Sequence, residues 1–156
     1  MTIELRDVTE QDIAIFFDFM QDKEQQWQAA FISEHPEDQA AHTNHWNKIL
    51  ADPANLNLTI EVDGLVVGNI GRWWLDGVPQ LTYWVGNQYS NKGYATEALK
   101  LFLTIETNRP LEARCAFDNQ GSIRVLEKNG FVLAGSDQYF SNARKEEITE
   151  LIFRLT

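Results

Sequence analysis

One stretch decides the fold: an aromatic and β-branched strand that runs through a polar loop into an amphipathic helix. It reads Tyr83-Trp84-Val85-Gly86-Asn87-Gln88-Tyr89-Ser90-Asn91-Lys92-Gly93-Tyr94-Ala95-Thr96-Glu97-Ala98-Leu99. A helix that begins after such a loop points free backbone N–H groups and the positive end of its dipole into the loop. No acidic residue lies between Tyr83 and Thr96, in a chain whose formal net charge is −10. The stretch therefore predicts an anion cradle, suited to a phosphate or pyrophosphate.

The composition indicates one folded domain, which we take to be residues 1–156. Of the 156 residues, 44% are hydrophobic and 23% are charged, which is typical of a globular protein. No apolar run approaches the roughly 20 residues of a membrane span, and the first residues lack the pattern of a signal peptide. The single cysteine, Cys115, excludes an internal disulfide and favours the cytoplasm. Its apolar surroundings favour a buried core thiol over a nucleophile.

The excess of acidic over basic residues favours some classes of binding partner over others. Nucleic-acid binding depends on Lys and Arg neutralising phosphates, so a net charge of −10 argues against that class of partner. The same charge favours a cationic ligand, although it is equally explained by solubility.

The first third of the chain predicts one strand and two helices. Residues Thr2–Val8 alternate weakly and predict a strand, and Thr9 with Asp12 predicts the capped start of a helix. That helix carries an apolar stripe, which consists of Ile13, Phe16, Phe17 and Met20. A loose polar region is expected from Gln21 to Asp38. Pro36 suits the entry to a second helix, for which we expect a buried side made of Trp46, Ile49 and Leu50.

The middle of the chain predicts a three-stranded meander. Asp63-Gly64 and Asp76-Gly77 are strong hairpin signals. They join three expected strands. The first is Leu58–Val62, the second is Leu65–Gly71 and continues as Gly68–Leu75, and the third is Gln80–Val85. The pair Trp73-Trp74 puts two rings on opposite strand faces. We expect one in the core and leave the other as a candidate for the wall of an acceptor pocket.

The last third predicts a helix from Tyr94 to about Glu106, a strand at Leu111–Phe117 and a short helix after Asp118-Asn119. Gly130 suits the end of that helix. Two closing strands, Phe131–Ala134 and Ile148–Leu155, are expected around a polar turn. The order β-α-α-β-β-β-α-β-α-β-β predicts an α/β fold, with a mixed sheet and helices on its faces.

Two blocks carry a family resemblance. Gly93-Tyr94-Ala95-Thr96-Glu97-Ala98 and the later Asn119…Ser122…Leu126-Glu127-Lys128-Asn129-Gly130-Phe131 resemble the two signature blocks of the GNAT family of acetyl-CoA-dependent N-acetyltransferases. The likeness is closer to the branch that includes the ribosomal-protein N-terminal acetyltransferases. The resemblance implies the acyl-CoA N-acyltransferase fold, acetyl-CoA as co-substrate, no metal, and direct attack by a primary amine.

The resemblance also implies roles for individual residues. Backbone amides of Asn91, Lys92, Gly93, Tyr94, Ala95 and Thr96 would hold the CoA pyrophosphate. The strand Tyr83-Trp84-Val85 would diverge from Leu111–Phe117 and pair with pantetheine like an added strand. The acetyl group would lie near Val85, where a backbone N–H could polarise the thioester carbonyl. Asn119 would bind pantetheine with its side chain.

The chain departs from the family pattern at two positions. Ser90 stands where the family usually has Arg or Gln, so one side-chain anchor for CoA is missing. Leu126 stands where many relatives have a tyrosine general acid. Ser122 is the usual substitute in the favoured branch, and the alternative is that it is an ordinary helix residue. No general base is evident: Glu61, Asp137 and Tyr139 are candidates by type only, and ordered water is equally acceptable.

Several alternatives stay open from the sequence. The acceptor could be a protein N-terminus, a polyamine, an amino sugar or an antibiotic amine, and the protein a monomer or a homodimer. We expect Gln21–Asp52 to form a wall of the acceptor site, with carboxylates that suit a cation: Asp22, Glu24, Glu34, Glu37 and Asp38. A non-catalytic CoA-binding module of the same fold is the second hypothesis, and a nucleotide-binding α/β protein is the third.

Overall fold

A seven-stranded sheet forms the centre of the protein, with strand order β1-β2-β3-β4-β5-β7-β6. The computed structural model describes residues 1–156. The strands are β1 (Ile3–Asp7), β2 (Leu56–Val62), β3 (Leu65–Leu75), β4 (Val78–Val85), β5 (Leu111–Ala116), β6 (Val132–Ser141) and β7 (Glu146–Leu155). The helices are α1 (Glu10–Phe19), α2 (Lys23–Ala29), α3 (Gln39–Ala51), α4 (Tyr94–Phe102) and α5 (Gln120–Lys128). The predicted mixed α/β fold is confirmed, and no helix has the length and apolar character needed to cross a membrane.

Strands β4 and β5, in the middle of the sheet, pair with each other over only a short length. All neighbouring strands pair antiparallel except β4 and β5, which run parallel. Their register has only two pairs, Gln80 with Glu112 and Leu81 with Ala113. Beyond Leu81, β4 continues to Val85 with no partner on its β5 side. The sheet therefore has an opening at its centre.

Helices cover both faces of the sheet. The larger core lies under α4 and α5, where Leu99, Phe102 and Leu126 pack fully buried against strand residues such as Ile60 and Ile70. A smaller cluster joins α1 to α3 on the other face and consists of Ile13, Phe16, Phe19 and Trp46. The two hairpin signals are confirmed as tight turns, because both residues of Asp63-Gly64 and of Asp76-Gly77 have positive φ.

Two elements differ from the sequence-based prediction because their residues carry no apolar periodicity. The loose region expected from Gln21 to Asp38 contains α2, which Asp22 caps by accepting a hydrogen bond from the Gln25 N–H at 2.9 Å. The closing strands are longer than predicted, since β6 runs on to Ser141 and β7 begins at Glu146. Every residue of β6 before Ser141 is exposed, as befits the edge of the sheet, so no buried stripe marks the strand.

Three smaller expectations are also corrected. The helix expected to reach Glu106 ends at Phe102, and Glu106 is instead buried in an ion pair with Arg72. Leu50 is exposed, because Trp46 and Ile49 already fill the contact between α3 and α1. Trp73 and Trp74 both lie on the surface, where neither joins the core. The Trp74 indole N–H donates to the Ala54 carbonyl, which holds that ring away from the opening in the sheet.

Candidate active site

A cavity of about 690 Å³ lies at the opening between β4 and β5. Its walls come from β4 and β5, from the loop before α4, from the first turn of α4, from one side of α5 along its whole length, and from α2. Nearly all of the predicted site residues line it: Tyr83, Trp84, Val85, Asn91, Gly93, Tyr94, Ala95, Thr96, Asn119 and Ser122. Lys92 does not line the cavity, and its side chain is exposed.

The start of α4 has the geometry of an anion cradle. Asn91 and Gly93 have φ values of 60° and 80°, and no side chain caps the helix. The Glu97 N–H makes the first intrahelical bond, to the Gly93 carbonyl at 3.1 Å, so the N–H groups of residues 93–96 have no partner within the helix. A Cβ on Gly93 would meet nothing within 4 Å, so the positive φ is the reason for glycine here. These groups fit a pyrophosphate.

Two cations on α5 line the cavity, whereas Lys92 of the loop does not. The Ser90 hydroxyl donates to the Asn87 carbonyl at 2.7 Å and is therefore engaged inside the loop. Arg124 and Lys128 are one turn apart, line the cavity and form no ion pair within the chain. The i, i+4 spacing from Gln120 through Arg124 to Lys128 is a signal that the sequence analysis missed.

The unpaired edge of β4 offers backbone groups to the cavity. The Gly86 N–H donates to the Val67 carbonyl at 2.9 Å. Because partners alternate along an antiparallel pair, the N–H and C=O groups of Tyr83 and Val85 point away from β3 and into the opening. The Gln25 side-chain amide donates to the Val85 carbonyl, which joins α2 to the end of β4.

The start of α5 presents the polar side chains of Asn119 and Ser122 to the cavity. Asn119 caps the helix, since its Oδ1 accepts the Ser122 N–H at 3.2 Å. The Ser122 hydroxyl lies 2.5 Å from the Tyr83 hydroxyl. Burial raises the pKa of Tyr83 and raises that of the Cys115 thiol to about 11. Cys115 is thus a buried thiol, as predicted, although it also lines the cavity.

The wall opposite the cradle comes from α2 and β5. It presents Glu24, Gln25 and Gln28 from α2 and Arg114 from β5. Arg114 lies 3.3 Å from both Asp137 and Glu150. Burial raises the pKa of Glu150 in spite of this pairing.

These features agree with a comparison against known families. A family model described as the acetyltransferase (GNAT) domain matches residues 2–132. The chain belongs to the GNAT family. As a GNAT acetyltransferase it uses acetyl-CoA as its co-substrate. No curated protein sequence matches the chain significantly.

Solved structures of GNAT proteins have the same fold. The microcin C7 self-immunity acetyltransferase MccE, in complex with acetyl-CoA and AMP, has a TM-score of 0.81 at 17% identity, over 99% of this chain and 92% of that one. RimL, the ribosomal L7/L12 α-N-protein acetyltransferase, in complex with CoA, has a TM-score of 0.79 at 17% identity, over 97% and 93%. The spermidine N-acetyltransferase of Vibrio cholerae, in complex with CoA and spermine, has a TM-score of 0.75 at 17% identity, over 97% and 95%.

Most carboxylates expected to face the GNAT acceptor have other partners. Only Glu24 lines the cavity. Asp22 caps α2 and accepts a hydrogen bond from Asn87, and Asp38 caps α3. Glu34 and Glu37 are exposed beside His35.

None of the three candidate bases lines the cavity. Glu61 is bound to Arg6 at 2.8 Å, between β1 and β2. Asp137 and Tyr139 are exposed on β6. Glu150 is the carboxylate that the sequence analysis overlooked, because only the pairing of β5 with β7 brings it beside Arg114.

Proposed function

We propose that the protein transfers the acetyl group of acetyl-CoA to a primary amine bound between α2 and β5. The observation that carries this proposal is the continuity of the cavity. One space of about 690 Å³ reaches from the anion cradle on α4, past Val85 and Ser122, to Gln25 and Arg114. A cavity that combines an anion cradle with a second polar wall fits an enzyme with two substrates better than a module that only binds CoA.

Most of the residues predicted to bind the cofactor have a role in this proposal. The free N–H groups at residues 93–96 receive the pyrophosphate, and Arg124 and Lys128 offset its charge. Backbone groups of Tyr83 and Val85 pair with pantetheine, and the Val85 N–H polarises the thioester carbonyl. The Asn119 Oδ1 caps α5, and its Nδ2 makes no hydrogen bond within the chain, so that Nδ2 can donate to pantetheine.

The transfer is a direct attack. The amine nitrogen forms a bond to the carbonyl carbon, and the C–S bond breaks with its electron pair on sulfur. Ser122 donates a hydrogen bond to that sulfur. The nitrogen must lose a proton, and we propose that a water in the cavity relays it to Glu150, which does not line the cavity but lies 3.3 Å from Arg114, which does. Burial raises the pKa of Glu150, so its carboxylate is a better proton acceptor than an ordinary one.

The acceptor class is a cationic amine. Glu24 is exposed on the acceptor wall, and Glu150 with Asp137 outnumbers the one cation, Arg114. RimL acts on a protein N-terminus and the Vibrio cholerae enzyme binds spermine, so both kinds of amine are to be tried. The lone buried cysteine supports a cytoplasmic location, which stays a prediction.

The test is thiol release from acetyl-CoA with three amines: spermidine, a peptide with a free N-terminus, and an aminoglycoside. The proposal expects saturable release with at least one of them, together with an N-acetylated product by mass spectrometry. Binding of acetyl-CoA without turnover on any of the three would favour the non-catalytic CoA-binding module instead.

A further inference from the structure

One hydrogen bond joins β4 to α5 across the opening in the sheet: the contact of 2.5 Å between the hydroxyls of Tyr83 and Ser122. Both side chains line the cavity. Tyr83 reaches Ser122 because it is on the face of β4 that packs against the larger core, under α5. Ser122 is held in turn by its N–H, which donates to Asn119. The two hydroxyls are therefore fixed from opposite sides of the cavity.

The α5 position one turn further on carries no hydroxyl. Leu126 is fully buried there and packs in the core. The phenol in this cavity therefore belongs to a strand residue, Tyr83, and it contacts Ser122 instead of replacing it. Tyr83 was predicted from the sequence only as a backbone partner of pantetheine.

Which of the two hydroxyls donates to the other determines whether Ser122 can donate its own proton to a further acceptor. A serine hydroxyl has one proton, and that proton points either to Tyr83 or to another acceptor. If the Tyr83 hydroxyl donates to the Ser122 oxygen, the serine proton is free for the sulfur. Burial raises the pKa of Tyr83, so the phenol keeps its proton at neutral and mildly basic pH and remains a donor.

We propose that Tyr83 is a positioning residue, whose hydroxyl donates to the Ser122 oxygen and thereby directs the Ser122 proton to the leaving sulfur of CoA. This inference rests on the proposed function. As the C–S bond breaks, the electron pair goes to sulfur, and the chain Tyr83–Ser122–sulfur stabilises the thiolate by hydrogen bonds alone. Neither hydroxyl gives up its proton. The proton lost by the amine passes to its base and then to solvent, and a solvent proton later neutralises the thiolate.

The test compares Tyr83→Phe, Ser122→Ala and the double variant with wild type. We expect Tyr83→Phe to lower kcat about tenfold with the KM of acetyl-CoA unchanged, because one hydrogen bond in the transition state is lost. Ser122→Ala lowers kcat about 100-fold. The double variant matches Ser122→Ala alone, since Tyr83 acts only through the serine. Tyr89→Phe is the matched control, as Tyr89 lines the same cavity and its hydroxyl bonds to nothing in the chain.

A spectroscopic measurement separates positioning from packing. The thiol pKa of bound CoA is followed by ultraviolet thiolate absorbance, as the spectrum of the CoA complex minus that of the free protein. We expect this pKa to rise by about one unit in Tyr83→Phe, in line with a tenfold loss of thiolate stabilisation. An unchanged thiol pKa, or losses that multiply in the double variant, would overturn the inference.

The two proposals fail in distinguishable ways. If wild type binds CoA but acetylates none of the three amines, the proposed function fails. The thiol pKa still decides the role of Tyr83 in that case, because the measurement needs only bound CoA.

Discussion

At the scale of single residues, the cationic side chains that line the cofactor half belong to α5, since Lys92 in the loop before α4 does not line the cavity. Arg124 and Lys128 line the cavity without ion-pair partners, whereas Ser90 is turned into its own loop. Replacing both cations by Gln removes two groups that face the phosphates. We expect the KM of acetyl-CoA to rise about tenfold, which corresponds to about 1.4 kcal/mol, with little change in kcat.

The control for this pair is Lys48→Gln, a change to an exposed lysine on α3 that leaves the cavity intact. Steady-state kinetics at two salt concentrations checks the prediction, since the difference between variant and wild type shrinks as salt screens the charges. Equal KM values at low salt would mean that the α4 amides alone hold the phosphates.

A second residue-scale prediction concerns Glu150. Its raised pKa lies above the ordinary value of 4.5 for a glutamate, so the carboxylate becomes a competent base only as pH rises through that raised value. We expect Glu150→Gln to lower kcat about 100-fold and to remove the acidic limb of the pH profile. Glu147→Gln, an exposed position on the same strand, leaves both unchanged. An acidic limb that survives in Glu150→Gln would assign the proton to water.

At the scale of elements, the turn between β6 and β7 ties the two walls of the cavity together. Arg144 in that turn donates to both carboxylate oxygens of Asp118, just before α5, and to the Trp27 carbonyl on α2. Its side chain is only 4% exposed, and its guanidinium lies over the Trp27 ring. One side chain therefore sets the position of α2 relative to α5.

Breaking this contact is expected to weaken binding of the amine more than binding of acetyl-CoA. Arg144→Ala frees α2, which belongs to the acceptor wall, so the KM of the amine rises more than that of acetyl-CoA. The free energy of unfolding falls by about 1 kcal/mol, because the Asp118 side chain is 43% exposed and solvent screens the pair. Urea denaturation and steady-state kinetics measure the two effects. Lys145→Asn is the control, since asparagine tolerates the positive φ at this neighbouring position; equal rises in both KM values would contradict the prediction.

The start of α1 carries a pH-dependent contribution to stability. Asp12 is buried, accepts from Arg6 at 2.6 and 2.9 Å and from Thr59 at 2.8 Å, and closes the capping box with Thr9. These bonds outweigh its burial and lower its pKa from 3.8 to about 2. Since the folded-state pKa is the lower one, the stabilisation is present above pH 3.8 and is lost as pH falls toward 2.

Asp12→Asn tests this contribution. We expect the free energy of unfolding at neutral pH to fall by about 3 kcal/mol, and its decline between pH 4 and pH 2 to become shallower. Asp18→Asn, exposed on the same helix, is the control. Urea midpoints across this pH range are the measurement, and parallel curves for variant and wild type would refute the role of Asp12.

The success of sequence-based prediction differed between elements for physical reasons. The capped helix α1, the two Asp-Gly hairpins and the entry to α4 follow from local rules of periodicity, capping and turn geometry, and all are confirmed. The helix α2 and the strand β6 bury no stripe of apolar residues, so periodicity does not mark them. Their existence depends on contacts that are distant along the chain.

The two halves of the site also differ in how far the sequence predicts them. The cofactor half was predictable, because backbone groups in one continuous stretch, residues 83–96, form most of it. The acceptor half was not, since its contacts join residues far apart in sequence. Gln25 reaches the Val85 carbonyl 60 positions away, and Arg114 meets Glu150 36 positions away.

At the scale of the whole molecule, the charge distribution separates the two substrates. The chain carries a net charge of −10, yet one end of the cavity presents free helix N–H groups and two cations on α5. On the opposite wall Glu24 lines the cavity, and Asp137 and Glu150 each lie 3.3 Å from the lining Arg114. An anionic cofactor and a cationic acceptor would therefore be attracted to opposite ends of one opening in the sheet.

Isothermal titration of the purified full chain with acetyl-CoA measures whether the opening between β4 and β5 binds this co-substrate. We predict saturable binding of one acetyl-CoA per chain, weakened about tenfold when both Arg124 and Lys128 are replaced by Gln. An absence of binding heat at millimolar acetyl-CoA, with the protein folded, would contradict the account.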